Sequence, residues 1–134
     1  MTSIVLIIIL ILNYSNAYDD YLSGDYIIGG NSVSIANFPY QVSLRVGGSH
    51  TCSGAIISSR HVVTAAHCIL CCARAPYSDF TVVTGTSNRL YGGQSHRVLS
   101  ANPHFSYNMD SASLENDIGI ITVIFKLFLG LCFF

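Results

Sequence analysis

The heptapeptide Val62-Val63-Thr64-Ala65-Ala66-His67-Cys68 decides how this chain folds. Its two valines and its threonine are β-branched and predict a strand, after which two small alanines lead to a histidine. A strand of this composition would carry the imidazole to the rim of a sheet. A lone histidine is most often an ordinary surface or core residue, but these neighbours favour a functional role for His67.

Short strand-like segments separated by turn residues lie on both sides of this motif. In Gln41–Val46 three apolar residues alternate with Ser43 and Arg45, which predicts that those two side chains lie on the face away from the core, and Gly47-Gly48 predicts a hairpin turn. Six such segments without a convincing helical period predict an all-β fold, a small closed antiparallel barrel. The predicted strands are Gln41–Val46, Ser53–Ile57, His61–Ala65, Phe80–Thr84, Ser95–Ser100 and Asp117–Val123. Gly, Pro, Ser and Asn content predicts loops over Ala73–Asp79, Asn88–Gly93 and Asn102–Asn116.

The apolar residues of the chain, 51% of the total, are concentrated at its two ends. Ile4–Leu12 is a run of nine apolar residues, a length typical of a signal-peptide core and too short to span a bilayer. Ser15-Asn16-Ala17 then provides the small residues that signal peptidase requires. We therefore expect residues 1–17 to be a signal peptide and the protein to be secreted; a buried strand or a signal anchor is the alternative.

The acidic and basic residues of the chain nearly balance. The net charge is −1 and no basic run occurs, so nothing in the sequence indicates nucleic acid or a polyanion as a partner. Several polar residues lack any surrounding motif and are expected to be solvated and without a role. They are the histidines His50, His61, His96 and His104 and the acids Asp79, Asp110 and Glu115.

Two further motifs stand at informative positions. Asn116-Asp117-Ile118-Gly119-Ile120 places a carboxylate before apolar residues that would bury it, and Ile27-Ile28-Gly29-Gly30 precedes the first predicted strand. With the heptapeptide around His67, these motifs resemble the chymotrypsin/trypsin family of serine endopeptidases, over about Ile27–Thr122. The histidine and the aspartate follow the order of that family, 50 residues apart.

The resemblance implies a fold and a set of roles. Residues 27–123 would form the first of the two barrels of a chymotrypsin-like domain, with His67 as general base and Asp117 as the carboxylate that orients it. Residues 18–26 would be a propeptide, removed by an activating protease that cuts after Tyr26 to free Ile27 as the new N-terminus. The substrate would be a protein or peptide, and no cofactor, metal or nucleic acid is implied.

The five cysteines are expected to form disulfides if the chain is secreted: Cys52, Cys68, Cys71, Cys72 and Cys132. The resemblance pairs Cys52 with Cys68. Cys71 and Cys72 are not family positions, and they could pair with each other, pair elsewhere or remain free thiols. A metal site around Cys68 and Cys71 with His61 and His67 is disfavoured, because secretion favours disulfides.

The sequence departs from the family pattern beyond Asp117. No Gly-Asp-Ser-Gly-Gly motif, which carries the nucleophilic serine in this family, occurs in the 134 residues. We therefore expect an incomplete and inactive part of a secreted endopeptidase, or alternatively a non-catalytic homologue that acts as a binding module or decoy. The hydrophobic tail, residues 124–134, does not resemble the family and is interpreted as translated intron. A membrane anchor made of Ile118–Phe134 is disfavoured, because it is short and contains Lys126.

Overall fold

A computed structural model describes residues 31, 33–111 and 115–127 of the chain. Six strands there form a closed barrel in the spatial order β1-β2-β3-β6-β5-β4, and every neighbouring pair is antiparallel. The strands are β1 (Gln41–Val46), β2 (Ser49–Ser58), β3 (His61–Thr64), β4 (Phe80–Thr84), β5 (Gln94–Pro103) and β6 (Gly119–Val123). A 3-10 turn (Ile35–Asn37) precedes β1, and the helix α1 (Ala66–Cys72) lies between β3 and β4. The predicted all-β barrel is confirmed.

The barrel interior is filled by the apolar side chains that alternate along the strands. In β6, for example, Ile121 and Val123 are fully buried while the residues between them are partly exposed. Each such side chain contributes about 1.5–3 kcal/mol by leaving water. The largest fully buried side chains are Phe80, Leu44, Ile121, Val42, Val62, Val82 and Val123.

The strand ends differ from the predicted ones where local geometry intervenes. The predicted strand from Asp117 begins only at Gly119, because Asn116 has a positive φ of 62° and its carbonyl accepts a hydrogen bond from the Ile118 N–H. The sequence did not indicate α1, because its seven residues are too few for their apolar spacing to reveal a helical period.

Two polar side chains expected at the surface are buried instead. Arg45 is only 7% exposed, because a β-bulge shifts the register after Leu44 and a loop covers the side chain. His96 is 6% exposed, on β5 opposite Val82 of β4, where its Nε2 forms a hydrogen bond with the Thr84 hydroxyl at 3.1 Å. In both cases hydrogen bonds satisfy the polar atoms that burial removes from water.

Several sequence-based expectations lie outside the described residues. These are the signal peptide, the propeptide, Ile27, Cys132 and the end of the hydrophobic tail. The first residues of that tail are described: Leu127 is buried against the barrel core, and its N–H donates a hydrogen bond to the Ser59 carbonyl at 2.7 Å. Within the described part of the chain, no helix reaches the length and apolarity needed to cross a membrane.

Candidate active site

The candidate site forms where strands β3 and β6 meet at one end of the barrel. Thr64, the last residue of β3, pairs with Gly119, the first residue of β6. The two strands are antiparallel, so the chain leaving β3 and the chain entering β6 emerge at the same end. His67 follows β3 and Asp117 precedes β6, and strand pairing therefore brings together two residues that are 50 positions apart.

The residues before His67 each have a structural reason to be there. The Thr64 hydroxyl donates a hydrogen bond to the Ser53 carbonyl at 2.8 Å, which ties the end of β3 to β2. Ala65 is extended and ends the strand, and Ala66 begins α1 with no exposed surface. Any larger side chain at Ala66 would have to displace core atoms.

Two contacts then hold α1 against the barrel. A disulfide joins Cys68 of the helix to Cys52 of β2, with an S–S distance of 2.04 Å. On the other side, the Ile69 side chain packs onto Gly119, where even a single added Cβ atom would lie 2.5 Å from Ile69 Cδ1. Gly119 thus allows a close approach of helix and strand, and the two contacts fix the position of His67.

Asp117 forms two hydrogen bonds with His67. Its Oδ1 accepts from the His67 backbone N–H at 2.9 Å, and its Oδ2 lies 2.7 Å from the imidazole Nδ1. A carboxylate at Nδ1 favours the tautomer in which Nδ1 carries the proton, which leaves Nε2 as the basic atom of the neutral ring. That Nε2 lies 3.3 Å from the Cys68 sulfur, and the His67 side chain is 51% exposed.

The carboxyl group of Asp117 is held in its ionised form. Its pKa is lowered by the hydrogen bond from the His67 backbone, then by the bond from the imidazole, while partial burial opposes the shift. The side chain is 20% exposed, and the expectation that the following apolar residues bury it is wrong for Ile118, which faces outward. The carboxylate lies instead against the first turn of α1, where it accepts a hydrogen bond from the backbone N–H of His67.

Tyr107 also lies near this pair and was missed by sequence reasoning. Desolvation raises the pKa of its phenol, and the negative charge of Asp117 raises it further, which places the two groups in the same electrostatic environment. Tyr107 belongs to the long loop between β5 and β6, where no motif marks it. The effect of Asp117 on this phenol becomes evident only from the fold.

The cysteines near His67 do not form a metal site. Ligand atoms of Cys52, His67 and Cys68 lie within 4.8 Å of one another. The two sulfurs are joined in a disulfide and have no thiolate charge, so the imidazole is the only good ligand among the three. Cys71 and Cys72 form a second disulfide with each other at the end of α1.

A closed antiparallel barrel with a hydrogen-bonded histidine and aspartate at one end defines the class of chymotrypsin-like serine protease barrels. Comparison with known proteins agrees. The sequence profile of the trypsin family matches residues 27–127. The chain is 39% identical over 97 residues to trypsin delta of Drosophila melanogaster, covering 72% of this chain and 36% of that protein. It is 40% identical over 100 residues to a trypsin of Simulium vittatum, covering 71% of this chain and 38% of that protein.

The chain therefore belongs to the trypsin family of serine proteases. It spans little more than a third of the length of these curated relatives. The predicted family is confirmed by this match, over nearly the same residues that the three motifs indicated.

Proposed function

We propose that this chain is the first barrel of a secreted serine endopeptidase, in which His67 is the general base and Asp117 orients it. The observation that carries the proposal is the double hydrogen bond between these residues, 2.9 Å to the backbone N–H and 2.7 Å to Nδ1. It leaves Nε2 on a half-exposed ring as the atom that can take a proton. Trypsins of two flies, similar over this barrel, support the same activity.

The chemistry would be acyl transfer from a peptide bond. His67 Nε2 would accept the proton of a serine hydroxyl as its oxygen attacks the scissile carbonyl carbon, and it would then donate that proton to the leaving amine. Asp117 would stabilise the imidazolium formed between the two steps. The serine and the donors that stabilise the oxyanion would come from a second barrel, because the 134 residues contain no Gly-Asp-Ser-Gly-Gly motif.

The 134 residues by themselves would accordingly not hydrolyse peptides, since loss of the nucleophile in a related triad lowers turnover by a factor on the order of 10⁶. Residues 1–17 would direct secretion, and residues 18–26 would leave when an activating protease cuts after Tyr26, so that Ile27 becomes the N-terminus. Residues 27–123 would form the barrel, and of the tail at residues 124–134 the family match covers residues 124–127. Mass spectrometry of the product secreted from insect cells would test the first cleavage, which should leave Tyr18 at the N-terminus.

A hybrid enzyme tests the catalytic roles directly. Residues 27–123 would replace the corresponding segment of the Simulium vittatum trypsin, and the purified, activated hybrid would be assayed on a peptide substrate. We expect hydrolysis, and we expect His67→Ala to lower kcat by a factor on the order of 10⁶. His61→Ala, at an exposed position of β3, is the matched control and should leave kcat unchanged. A folded hybrid that is inactive, or equally active after His67→Ala, would contradict the proposal.

A second candidate is a non-catalytic homologue that acts as a binding module or decoy. The spliced transcript separates the two. A reading frame that continues into a Gly-Asp-Ser-Gly-Gly motif supports the protease. A stop codon directly after Phe134 in mature mRNA supports the binding module.

A further inference from the structure

The last two residues of α1, Cys71 and Cys72, are joined to each other in a disulfide. Cys71 is exposed, whereas Cys72 is partly buried and packs against the barrel core. A disulfide breaks when a thiolate attacks one of its two sulfurs, so exposed disulfides are the more labile ones. This disulfide therefore combines one cysteine that solvent reaches with one cysteine that the core holds in place.

The neighbouring disulfide, Cys52–Cys68, is better protected. Cys68 is only 4% exposed, and Cys52 also packs against the core. The two cysteines are separated by 16 residues, so their bond closes a loop and stabilises the fold. By linkage, the same free energy opposes reduction of this bond in the folded protein, by a factor on the order of 10². Cys71–Cys72 closes no loop and lacks this protection, so a thiol should reduce it first.

The position of α1 does not depend on the Cys71–Cys72 bond. The contacts that hold the helix on the barrel are made earlier, at Cys68 and Ile69, and the Ala73 N–H closes the last turn by donating to the Ile69 carbonyl at 2.8 Å. Cys71 Sγ lies 3.6 Å from the Cys68 carbonyl oxygen, so a thiol formed at Cys71 would find an acceptor already in place. The reduced pair can therefore occupy the same backbone as the oxidised pair.

We propose that Cys71–Cys72 is a thiol–disulfide exchange site, at which Cys71 takes up a low-molecular-weight thiol as a mixed disulfide and Cys72 releases it again. The small thiol loses its proton and its sulfur attacks Cys71 Sγ. The bond to Cys72 breaks, and Cys72 leaves as a thiolate that takes up a proton from water. In the reverse step the Cys72 thiolate attacks Cys71 Sγ and expels the small thiol.

Complete reduction needs a second molecule of the small thiol. Its sulfur attacks the small-molecule sulfur of the mixed disulfide, and Cys71 leaves as a thiol. Two small thiols are then oxidised to one small disulfide, while the protein disulfide is reduced to two thiols. Because Cys71 and Cys72 are adjacent, an excess of the small disulfide can close their bond again by the same steps without a change of fold.

Glutathione redox buffers test the order of reduction on the full chain, with Cys132→Ser in every sample so that the fifth cysteine takes no part. Folded protein is equilibrated at several ratios of reduced to oxidised glutathione, quenched with acid, alkylated with N-ethylmaleimide and mapped by mass spectrometry. The quantity compared is the squared concentration of reduced glutathione divided by the concentration of oxidised glutathione. We expect its value at half reduction to be lower for Cys71–Cys72 than for Cys52–Cys68 by a factor on the order of 10². The midpoint of urea unfolding should stay the same when only Cys71–Cys72 is reduced.

Two serine variants test the separate roles of the cysteines. Reduced protein is treated with oxidised glutathione, and the small molecules are then removed by gel filtration. With both cysteines present, we expect the adduct on Cys71 to disappear as Cys72 closes the disulfide, whereas in Cys72→Ser the adduct should persist. Cys71→Ser, the matched control, should take up less glutathione, because Cys72 packs against the core.

Three results would overturn the proposal. One is reduction of Cys52–Cys68 in the same buffers as Cys71–Cys72, or in less reducing ones. Another is an adduct that lasts equally long with and without Cys72, since Cys72 would then release nothing. The third is equal uptake of glutathione by Cys71→Ser and Cys72→Ser, which would mean that Cys71 is not the preferred point of attack.

Discussion

Asp117 binds His67 at two atoms, accepting a hydrogen bond from its backbone N–H at 2.9 Å and contacting its imidazole Nδ1 at 2.7 Å. The hydrogen bond from the backbone fixes where the carboxylate lies, because a peptide N–H can only donate and must face an acceptor. The imidazole bond then fixes which ring nitrogen carries the proton. One carboxylate therefore sets both the position and the tautomer of the candidate base.

The tautomer of His67 should change in Asp117→Asn. The asparagine Oδ1 must keep facing the backbone N–H, so its NH₂ group faces Nδ1 and can only donate. We expect the neutral ring to move its proton from Nδ1 to Nε2, as read from ¹⁵N chemical shifts of the imidazole. Asp110→Asn, at an exposed loop position, should leave the shifts of His67 unchanged. An unchanged tautomer in Asp117→Asn would show that Asp117 does not control it.

The close contact between Ile69 and Gly119 should make Gly119→Ala destabilising. The new Cβ would lie 2.5 Å from Ile69 Cδ1 and 3.0 Å from the Asn102 carbonyl oxygen, so α1 or β5 must shift. We expect a loss of about 1–3 kcal/mol in the free energy of unfolding, measured with urea. Ile69→Val removes the Cδ1 atom, so the double variant should lose less than the sum of the two single losses.

Gly47 provides the control for the double-mutant cycle of Gly119→Ala and Ile69→Val. Gly47 lies in a turn, with a φ of 56°, but a Cβ there would meet no atom within 4 Å. Gly47→Ala should therefore lower the free energy of unfolding through backbone strain only. The losses of Gly47→Ala and Ile69→Val should then be additive in the double variant. Equal coupling of Ile69→Val with both glycine variants would contradict a specific contact at Gly119.

The two disulfides should differ in their effect on stability. Cys52 and Cys68 are separated by 16 residues, and removing a cross-link that closes a loop of this size costs about 3 kcal/mol. Cys71 and Cys72 are adjacent and close no loop, so the same model predicts almost no effect. Urea unfolding of the double alanine variants checks this. Equal losses for the two pairs would show that chain entropy does not explain the Cys52–Cys68 contribution.

Stability should fall as the pH drops below neutrality, because the pKa values of His50 and His96 are lowered in the folded protein. Burial is the largest cause for both, and it disfavours the charged form. The unfolded chain therefore binds protons more readily than the folded protein. The stability that the two neutral histidines contribute is complete above about pH 6.5, and it is lost as the pH falls through their folded pKa values. Asp117 has a lowered pKa in the folded protein, so stability is lost further at more acidic pH, as the pH falls through the folded pKa of this carboxyl group.

Urea unfolding at several values between about pH 7.5 and about pH 5 measures this dependence. His96→Gln should reduce the slope of stability against pH, since it removes one of the two groups. A slope that His96→Gln leaves intact would mean that His96 does not contribute to it.

The sequence by itself determined the family, the barrel and the identity of the candidate catalytic residues. The predicted strands Gln41–Val46 and Phe80–Thr84 have the observed bounds, because the alternation in the first and the β-branched residues of the second are local properties of the chain. The motifs around His67 and Asp117 are equally local. Each consists of a few consecutive residues, so it is recognised in the sequence without knowledge of the contacts that Thr64 and Gly119 make in the fold.

Only the tertiary structure decided which distant residues meet. Barrel closure and strand register bring His67 to Asp117 and bury His96 between strands, and the fold brings Tyr107 within the electrostatic influence of Asp117. Register also turns Arg45, expected with Ser43 on the outer face, into a buried charge beneath a loop. Pairing between strands joins residues far apart in the chain, so no linear pattern encodes these contacts.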